Sequence, residues 1–137
     1  MSTLKVDTIQ DASGSNSSTA AQLSSGRIKA WVNLDGGGSS NHTPAIQGSF
    51  NVTSIADVST SKYNIYWDTD FSNTNYAIAT FAGYDNYAQQ NWISSPTSLA
   101  LSTWKQTSMV QLIAVYQNNT SPNRDPDDFS VIAIGDQ

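Results

Sequence analysis

The sequence predicts an all-β protein, an antiparallel β-sandwich of about eight strands preceded by an extended N-terminal arm. Short segments in which apolar and polar residues alternate recur along the chain, as expected of strands that bury one face. Roughly a third of the 137 residues are Ser, Thr or Asn, and all 11 acidic residues are Asp. Such residues hydrogen-bond to nearby backbone and favour turns over helix interiors. We place the arm at residues 1–26 and the β-sandwich domain at 27–137.

The charge of the chain argues against a nucleic-acid partner. The formal net charge is −5 and the isoelectric point is about 4.3, whereas a phosphate-binding surface needs clustered Lys and Arg. No apolar run approaches the ~18–20 residues that cross a bilayer, and no signal peptide is evident. The absence of cysteine excludes disulfides and thiolate metal sites. We expect a soluble protein made in a cytoplasm, without a cofactor and without membrane insertion.

Residues 1–26 are predicted to form an arm that becomes ordered only when something else holds it. Leu4 and Val6 alternate with polar neighbours and Ile9 follows, which favours one short strand. The remainder, rich in Ser, Ala, Gly, Thr and Asn, buries too little apolar surface to offset its ordering entropy. A solvated tail and an attachment or oligomerisation segment both fit this composition. We favour the second, because a solvated tail has no need of three apolar residues.

Eight segments of the domain are predicted to be strands. In the first, 27–34, a buried face is expected to carry Ile28, Ala30, Val32 and Leu34. A phase shift in the apolar pattern after Val52 indicates a bulge or a strand end. The segment 107–117 is apolar on both sides and is therefore expected to be central in its sheet. The other predicted strands are 45–55, 60–67, 75–81, 90–93, 98–105 and 129–134.

Trp31 lies on the otherwise polar face of the first predicted strand. A large aromatic ring gains free energy when it leaves water. If the chain forms an oligomer, we expect Trp31 to be covered by a neighbouring strand, loop or subunit. We therefore assign Trp31 to attachment or oligomerisation, together with Leu4, Val6 and Ile9.

No residue pattern indicates catalysis. His42, the only histidine, lies in a Gly/Ser-rich loop without the partners that a triad or a structural zinc site needs. Asp68 and Asp70 fall in a turn, where Asp commonly caps the backbone. The calcium-loop pattern fails there, because its sixth position is not Gly and its twelfth is Ala79.

The loop before the last predicted strand carries three carboxylates, Asp125, Asp127 and Asp128. Carboxylate and carbonyl oxygens are ligands for hard cations. A solvated acidic loop explains the same residues, and we favour it over a cation site.

An aromatic loop is the strongest candidate for recognition of a ligand. It comprises Tyr84, Asp85, Asn86 and Tyr87, with Trp92 close behind. Aromatic faces beside Asn and Asp can stack on sugar rings and hydrogen-bond their hydroxyls, so a sugar or a receptor is a candidate ligand. Packing of these rings against the core or another subunit is the competing interpretation, and we favour it.

Several stretches resemble structural proteins of tailed phages, particularly of phages that infect marine bacteria and cyanobacteria. The opening Ser2-Thr-Leu-Lys-Val-Asp-Thr-Ile-Gln-Asp-Ala-Ser-Gly14 resembles the start of many tail-fibre proteins. A domain common in those fibres is similar to Lys29-Ala-Trp-Val-Asn-Leu-Asp-Gly36, Ser49-Phe-Asn-Val-Thr-Ser-Ile55, Tyr63-Asn-Ile-Tyr-Trp67 and Asn75-Tyr-Ala-Ile78. The resemblance ends near residue 82. It implies a virion component, typically a homotrimer, whose arm attaches to the particle or to its own copies.

We therefore expect a non-enzymatic structural protein of a phage virion. It would be a short homotrimeric tail fibre or fibre-like appendage that serves virion assembly and host attachment, contacting other virion proteins through its arm. The chain is much shorter than a long fibre and has no coiled-coil shaft, so a capsid decoration protein with the same fold remains an alternative. A second alternative is a carbohydrate-binding module that uses the aromatic loop.

Overall fold

Antiparallel β-sheets form the body of the protein, as the sequence predicts. A computed structural model describes residues 5–10, 12–14, 17–36, 44–83, 91–94, 104–116 and 125–137. Its elements, in chain order, are β1 (Thr8–Gln10), β2 (Ser17–Thr19), α1 (Ala20–Gly26), β3 (Ile28–Asp35), β4 (Ala45–Phe50), β5 (Val52–Ser59), β6 (Lys62–Trp67), β7 (Ala77–Gly83), β8 (Asn91–Ser94), β9 (Met109–Tyr116) and β10 (Asp128–Ile134).

The domain strands are divided between two four-stranded sheets. The first sheet, here called sheet I, has the order β4-β3-β10-β7, and sheet II has the order β5-β6-β9-β8. Every paired strand is antiparallel to its neighbour. The prediction that the apolar segment 107–117 is central is confirmed, because β9 lies between β6 and β8.

One hydrophobic core is shared by the two sheets. Its members come from alternate positions of the strands, and the Tyr63 ring of sheet II lies 5.5 Å from the Phe129 ring of sheet I, centroid to centroid. The alternation predicted for the first strand is confirmed at Ala30, Val32 and Leu34, whereas Ile28 is half exposed. The core comprises Ala30, Val32, Leu34, Tyr63, Ile65, Trp67, Phe71, Tyr76, Ala82, Val110, Leu112, Phe129, Val131 and Ala133.

Three aromatic rings close the core beside β6. Tyr76 stacks on Phe71 with ring centroids 4.1 Å apart, and Trp67 meets both rings edge-on. The Tyr76 hydroxyl lies 2.8 Å from the carbonyl oxygen of Gln106 and 3.1 Å from that of Met109, and its oxygen accepts a hydrogen bond from Trp67 Nε1. This contact ties the segment before β7 to the start of β9.

The single strand predicted at 45–55 is wrong in one respect, because the segment forms two strands in different sheets. β4 belongs to sheet I and β5 to sheet II, and Asn51 between them has a positive φ of 55°. Asn51 Oδ1 accepts a hydrogen bond from Thr69 N at 2.6 Å, and Asn51 Nδ2 donates to Thr69 O at 3.1 Å. The chain turns a corner here, and the interruption predicted after Val52 is confirmed separately as a register shift between Val52 and Ser54 in the pairing of β5 with β6.

The strand predicted at 98–105 has its larger part, 98–103, outside the described residues. At its end, Lys105 forms an isolated antiparallel bridge with Val110, and Gln106 N donates to the Met109 carbonyl at 2.9 Å. Lys105 therefore belongs to a tight turn that precedes β9.

The arm is not extended throughout, which corrects the prediction of an arm without helix. β1 pairs with β2, and α1 follows with a capping box, in which Thr19 Oγ1 accepts from Gln22 N and Gln22 Oε1 accepts from Thr19 N. Residues 1–4, 11 and 15–16 lie outside the described residues. In the described part of the chain, no helix has the length and apolar character that a bilayer crossing requires.

Candidate functional site

An apolar row crosses the outward face of sheet I, the face turned away from the core. Trp31 of β3 is paired with Phe50 of β4 on one side and with Ile132 of β10 on the other. Ile132 is in turn paired with Ala79 of β7. Side chains at directly paired positions lie on the same side of a sheet, so these four form one line across all four strands. Trp31, Phe50 and Ile132 are 39%, 56% and 38% exposed.

The neighbouring row of the same face combines polar groups with one more aromatic ring. It runs through Gly48, Asn33, Ser130 and Phe81, and Phe81 is 61% exposed. Gly48 makes room for the indole of Trp31, because a Cβ at Gly48 would lie 3.2 Å from Trp31 Cη2. We call these two rows the outer face.

The polar side chains of the outer face are hydrogen-bonded to one another. Ser130 Oγ donates to Asn33 Oδ1 at 3.0 Å, and Asn33 Nδ2 donates to Gln47 Oε1 at 3.2 Å. A buried polar group is costly only when it lacks a partner. These bonds therefore allow the outer face to be covered at little cost in lost hydration.

Among the described residues, those with a charge lie at the margin of the outer face and not at its centre. Neither row contains Lys, Arg, Asp or Glu. Along β3, the register shifts after Ala30, so half-exposed Ile28, paired with Ile134, is the next outward residue before Trp31. Lys29 is the extra residue at this shift, and its side chain is buried, with Nζ donating to Ser24 Oγ of α1 at 3.3 Å. Asp128 is paired with Gly83 at the opposite end of β10 and β7. The centre of the face is therefore neutral.

The residues assigned to attachment from the sequence are placed as follows. Trp31 is at the centre of the outer face and is partly exposed in a single chain. Val6, just before β1, is 41% exposed, and Ile9, within β1, is 54% exposed. Leu4 lies outside the described residues. Sequence reasoning missed Phe50, Phe81 and Ile132 as members of the face, because their alignment with Trp31 depends on strand register.

The residues assigned to sugar or receptor binding cannot be placed together. Tyr84, Asp85, Asn86 and Tyr87 lie outside the described residues. Trp92 is in β8, where its backbone is paired with Val115. Binding by this loop therefore stays a prediction from the sequence.

Asp125 forms a second polar cluster, which lies inside the fold. It is buried, and its Oδ1 accepts hydrogen bonds from Ser61 N at 2.6 Å and from Tyr63 Oη at 3.0 Å. Its Oδ2 is buried without a hydrogen-bond partner. Burial, and secondly the charge of Asp125, raises the pKa of Asp57. The carboxylate holds the segment before β10 against the turn between β5 and β6.

The geometry around Asp125 does not assemble a metal site. Among the described residues, no three His, Cys, Asp or Glu side chains converge as metal ligands would. Asp128, the third carboxylate of the predicted loop, is the first residue of β10 and points to the outward side of sheet I, opposite Gly83. The cation alternative gains no support from this arrangement.

Comparisons with protein-family models, with curated proteins and with solved structures found no match for this chain.

Proposed function

We propose that this chain is a non-enzymatic structural protein of a phage virion, a short homotrimeric fibre-like appendage whose two four-stranded sheets form a β-sandwich. The observation that carries the proposal is the outer face, which presents three aromatic rings and an isoleucine to solvent without a charge among them. Its function is assembly, first with copies of the same chain and then with the particle.

The size of the exposed apolar surface supports an assembly role. Aromatic side chains have about 150–250 Å² each, so the exposed parts of Trp31, Phe50 and Phe81 amount to roughly 300 Å² before Ile132 is added. Contiguous apolar patches of this order on a soluble chain are commonly functional. Aromatic enrichment with depletion of charge is the composition of an interface core.

The family resemblance supports the identity of the assembly. The stretches that resemble phage fibre proteins include β3 with Trp31 and the segment from Ser49 to Ile55 with Phe50, so the resemblance covers two strands of the outer face. The arm, which carries exposed Val6 and Ile9, is the part that we assign to oligomerisation and to attachment to other virion proteins. Contact with a host surface glycan through Tyr84, Tyr87 and Trp92 is a separate part of the proposal and rests on sequence alone.

The mass of the full chain in solution tests the trimer. Light scattering should give three times the chain mass of 14.8 kDa. The variant Val58→Lys should have the same mass as the unaltered chain. Val58 is an exposed apolar residue of β5 in sheet II, away from the outer face, so its replacement should leave the trimer intact. A monomer for the full chain would contradict the proposal.

Labelling of phage particles tests the virion role. An antibody raised against the protein should bind purified particles of the phage that encodes it, and gold labelling should place it at the tail. Labelling of the capsid would replace the fibre with a decoration protein. Particles that carry none of the protein would overturn a structural role in the virion.

A further inference from the structure

The chain carries a second set of exposed apolar side chains besides the outer face. Val6 and Ile9 near β1 and Leu23 in α1 are 41%, 54% and 40% exposed. All three belong to the arm, and β1 and β2 have exposed or half-exposed side chains at every position. In a single chain the arm and the outer face therefore both leave apolar surface in water.

The arm begins at the margin of the outer face. Lys29 lies at the start of β3, two residues before Trp31, and its buried side chain is hydrogen-bonded to Ser24 of α1. Since α1 leads directly into β3, the base of the arm is held beside the start of this strand, next to the outward and half-exposed Ile28. The surface left uncovered continues from that contact.

We propose that in the assembled protein the arm of one copy, residues 5–26, lies on the outer face of the next copy. The arm contributes Val6, Ile9 and Leu23, and the face contributes Trp31, with Phe50, Phe81 and Ile132 around it. This inference rests on the homo-oligomer of the proposed function and specifies which surfaces form it.

Interface area favours the arm over a direct contact between two outer faces. A stable protein interface covers about 800 Å² on each partner. The exposed aromatic surface of the outer face supplies roughly 300 Å² of that, and pairing of two outer faces would leave the exposed apolar side chains of the arm in water. A contact in which each copy both donates an arm and accepts one buries two such surfaces per chain.

Symmetry points the same way. Two outer faces packed against each other make an isologous contact, which closes as a dimer. The arm and the outer face are different surfaces, so their contact can close as a reciprocal exchange between two copies, close as a ring of three or more, or extend as a filament. The trimer of the proposed function is therefore compatible with arm exchange, whereas two-fold pairing of outer faces stops at a dimer.

Two double variants test the exchange by complementation. The arm variant is Val6→Lys with Ile9→Lys, and the face variant is Phe50→Lys with Phe81→Lys. All four residues are exposed, and Phe50 and Phe81 lie on the two edge strands of sheet I, where Lys is well tolerated. The use of Lys in both variants prevents an opposite-charge contact between the altered arm and the altered face.

Each variant alone is expected to be a monomer by light scattering. An equal mixture should give a heterodimer of twice the chain mass, since the intact arm of the face variant can occupy the intact face of the arm variant and no further contact is possible. Circular dichroism and the thermal unfolding midpoint verify that both variants are folded. The control Val58→Lys should retain the mass of the unaltered protein.

The outcomes separate this inference from the function on which it rests. A monomeric unaltered chain overturns both. An unaltered trimer overturns the inference alone if the arm variant retains its oligomeric mass, which would indicate pairing without the arm. The inference is also overturned if the face variant retains its oligomeric mass, or if the mixture of the two variants stays monomeric.

Discussion

At the scale of single residues, Tyr76 shows how a polar group is accommodated in an aromatic core. Its ring is 2% exposed, and its hydroxyl reaches the backbone carbonyls of Gln106 and Met109. Lys105 Nζ lies 4.6 Å from the centre of the same ring, and burial lowers the pKa of that lysine. Burial raises the pKa of Tyr76 to about 12, although the hydrogen bond from Trp67 acts to lower it.

The raised pKa of Tyr76 predicts a loss of stability at alkaline pH. Because the folded pKa is above that of an unfolded tyrosine, the neutral phenol contributes its full stabilisation below about pH 10 and loses it as the pH rises through about 12. The free energy of unfolding, measured by urea denaturation at each pH, should fall over that interval. In Tyr76→Phe this component should be absent. An identical pH dependence in both proteins would contradict the assignment.

Two substitutions of Asp125 separate the contribution of its charge to stability from that of its hydrogen bonds. Asp125→Ala removes the acceptor for Ser61 N and Tyr63 Oη and should lower the free energy of unfolding by about 3 kcal/mol, the order expected for loss of buried bonds to a charged group. Asp125→Asn keeps an acceptor oxygen and should cost less. Equal losses in the two variants would show that the charge, not the acceptor, is required.

The same Asn variant should also change the titration of Asp57. The charge of Asp125 is the second cause of the raised pKa of Asp57, after burial, so the pKa should fall but stay above its ordinary value. Because a raised carboxyl pKa means stability that declines as the pH rises through it, the decline attributable to Asp57 should shrink. Carboxyl-carbon NMR of Asp57 measures both pKa values, and an unchanged value would contradict the coupling.

At the scale of elements, the corner at Asn51 shows what the sequence could not predict, namely that the segment 45–55 is divided between two sheets. The apolar period of 45–55 correctly predicts strand, and the phase shift after Val52 correctly predicts the register shift between Val52 and Ser54. What the pattern cannot show is that β4 and β5 enter different sheets, since both bury apolar residues against the same core. The capping box of α1, Thr19-Ala-Ala-Gln22, was in contrast readable as a helix start.

Asn51 is predicted to be replaceable by Gly at less cost than by Ala. Both variants lose the two hydrogen bonds to Thr69, but only Gly adopts a φ of 55° without strain. We expect Asn51→Gly to lower the free energy of unfolding by about 1 kcal/mol and Asn51→Ala by about 2 kcal/mol, on the usual scale of a bond and a strained residue. Chemical denaturation measures both. A more stable Ala variant would contradict the corner conformation.

At the scale of the whole molecule, strand order and register were beyond the reach of the sequence. The alternation of 27–34 identifies Trp31 as an outward aromatic residue, but its alignment with Ile132 joins residues about a hundred positions apart. Periodicity is a local property, whereas register depends on the packing of distant segments. The predicted site therefore contained Trp31 without its three apolar neighbours on the outer face.

The neutral outer face predicts how salt acts on assembly. Each chain carries a formal charge of −5, so copies repel one another, while the contact surface has no charge at its centre. Added sodium chloride should therefore tighten association slightly by screening the repulsion. Sedimentation equilibrium across a series of salt concentrations measures the effect. A marked weakening by salt would show that ion pairs hold the copies together.

The position of β10 between β3 and β7 has a consequence for biosynthesis. β3 leaves the ribosome long before β10 exists, and sheet I lacks its middle strand until β10 has been made. During that interval β3 lacks a partner on one edge and β7, which pairs only with β10, lacks one on both, a condition that exposes nascent chains to aggregation. Sheet I can therefore form completely only after β10, its last strand in the sequence, has been translated. A chaperone that shields apolar strands should raise the yield of the protein during expression.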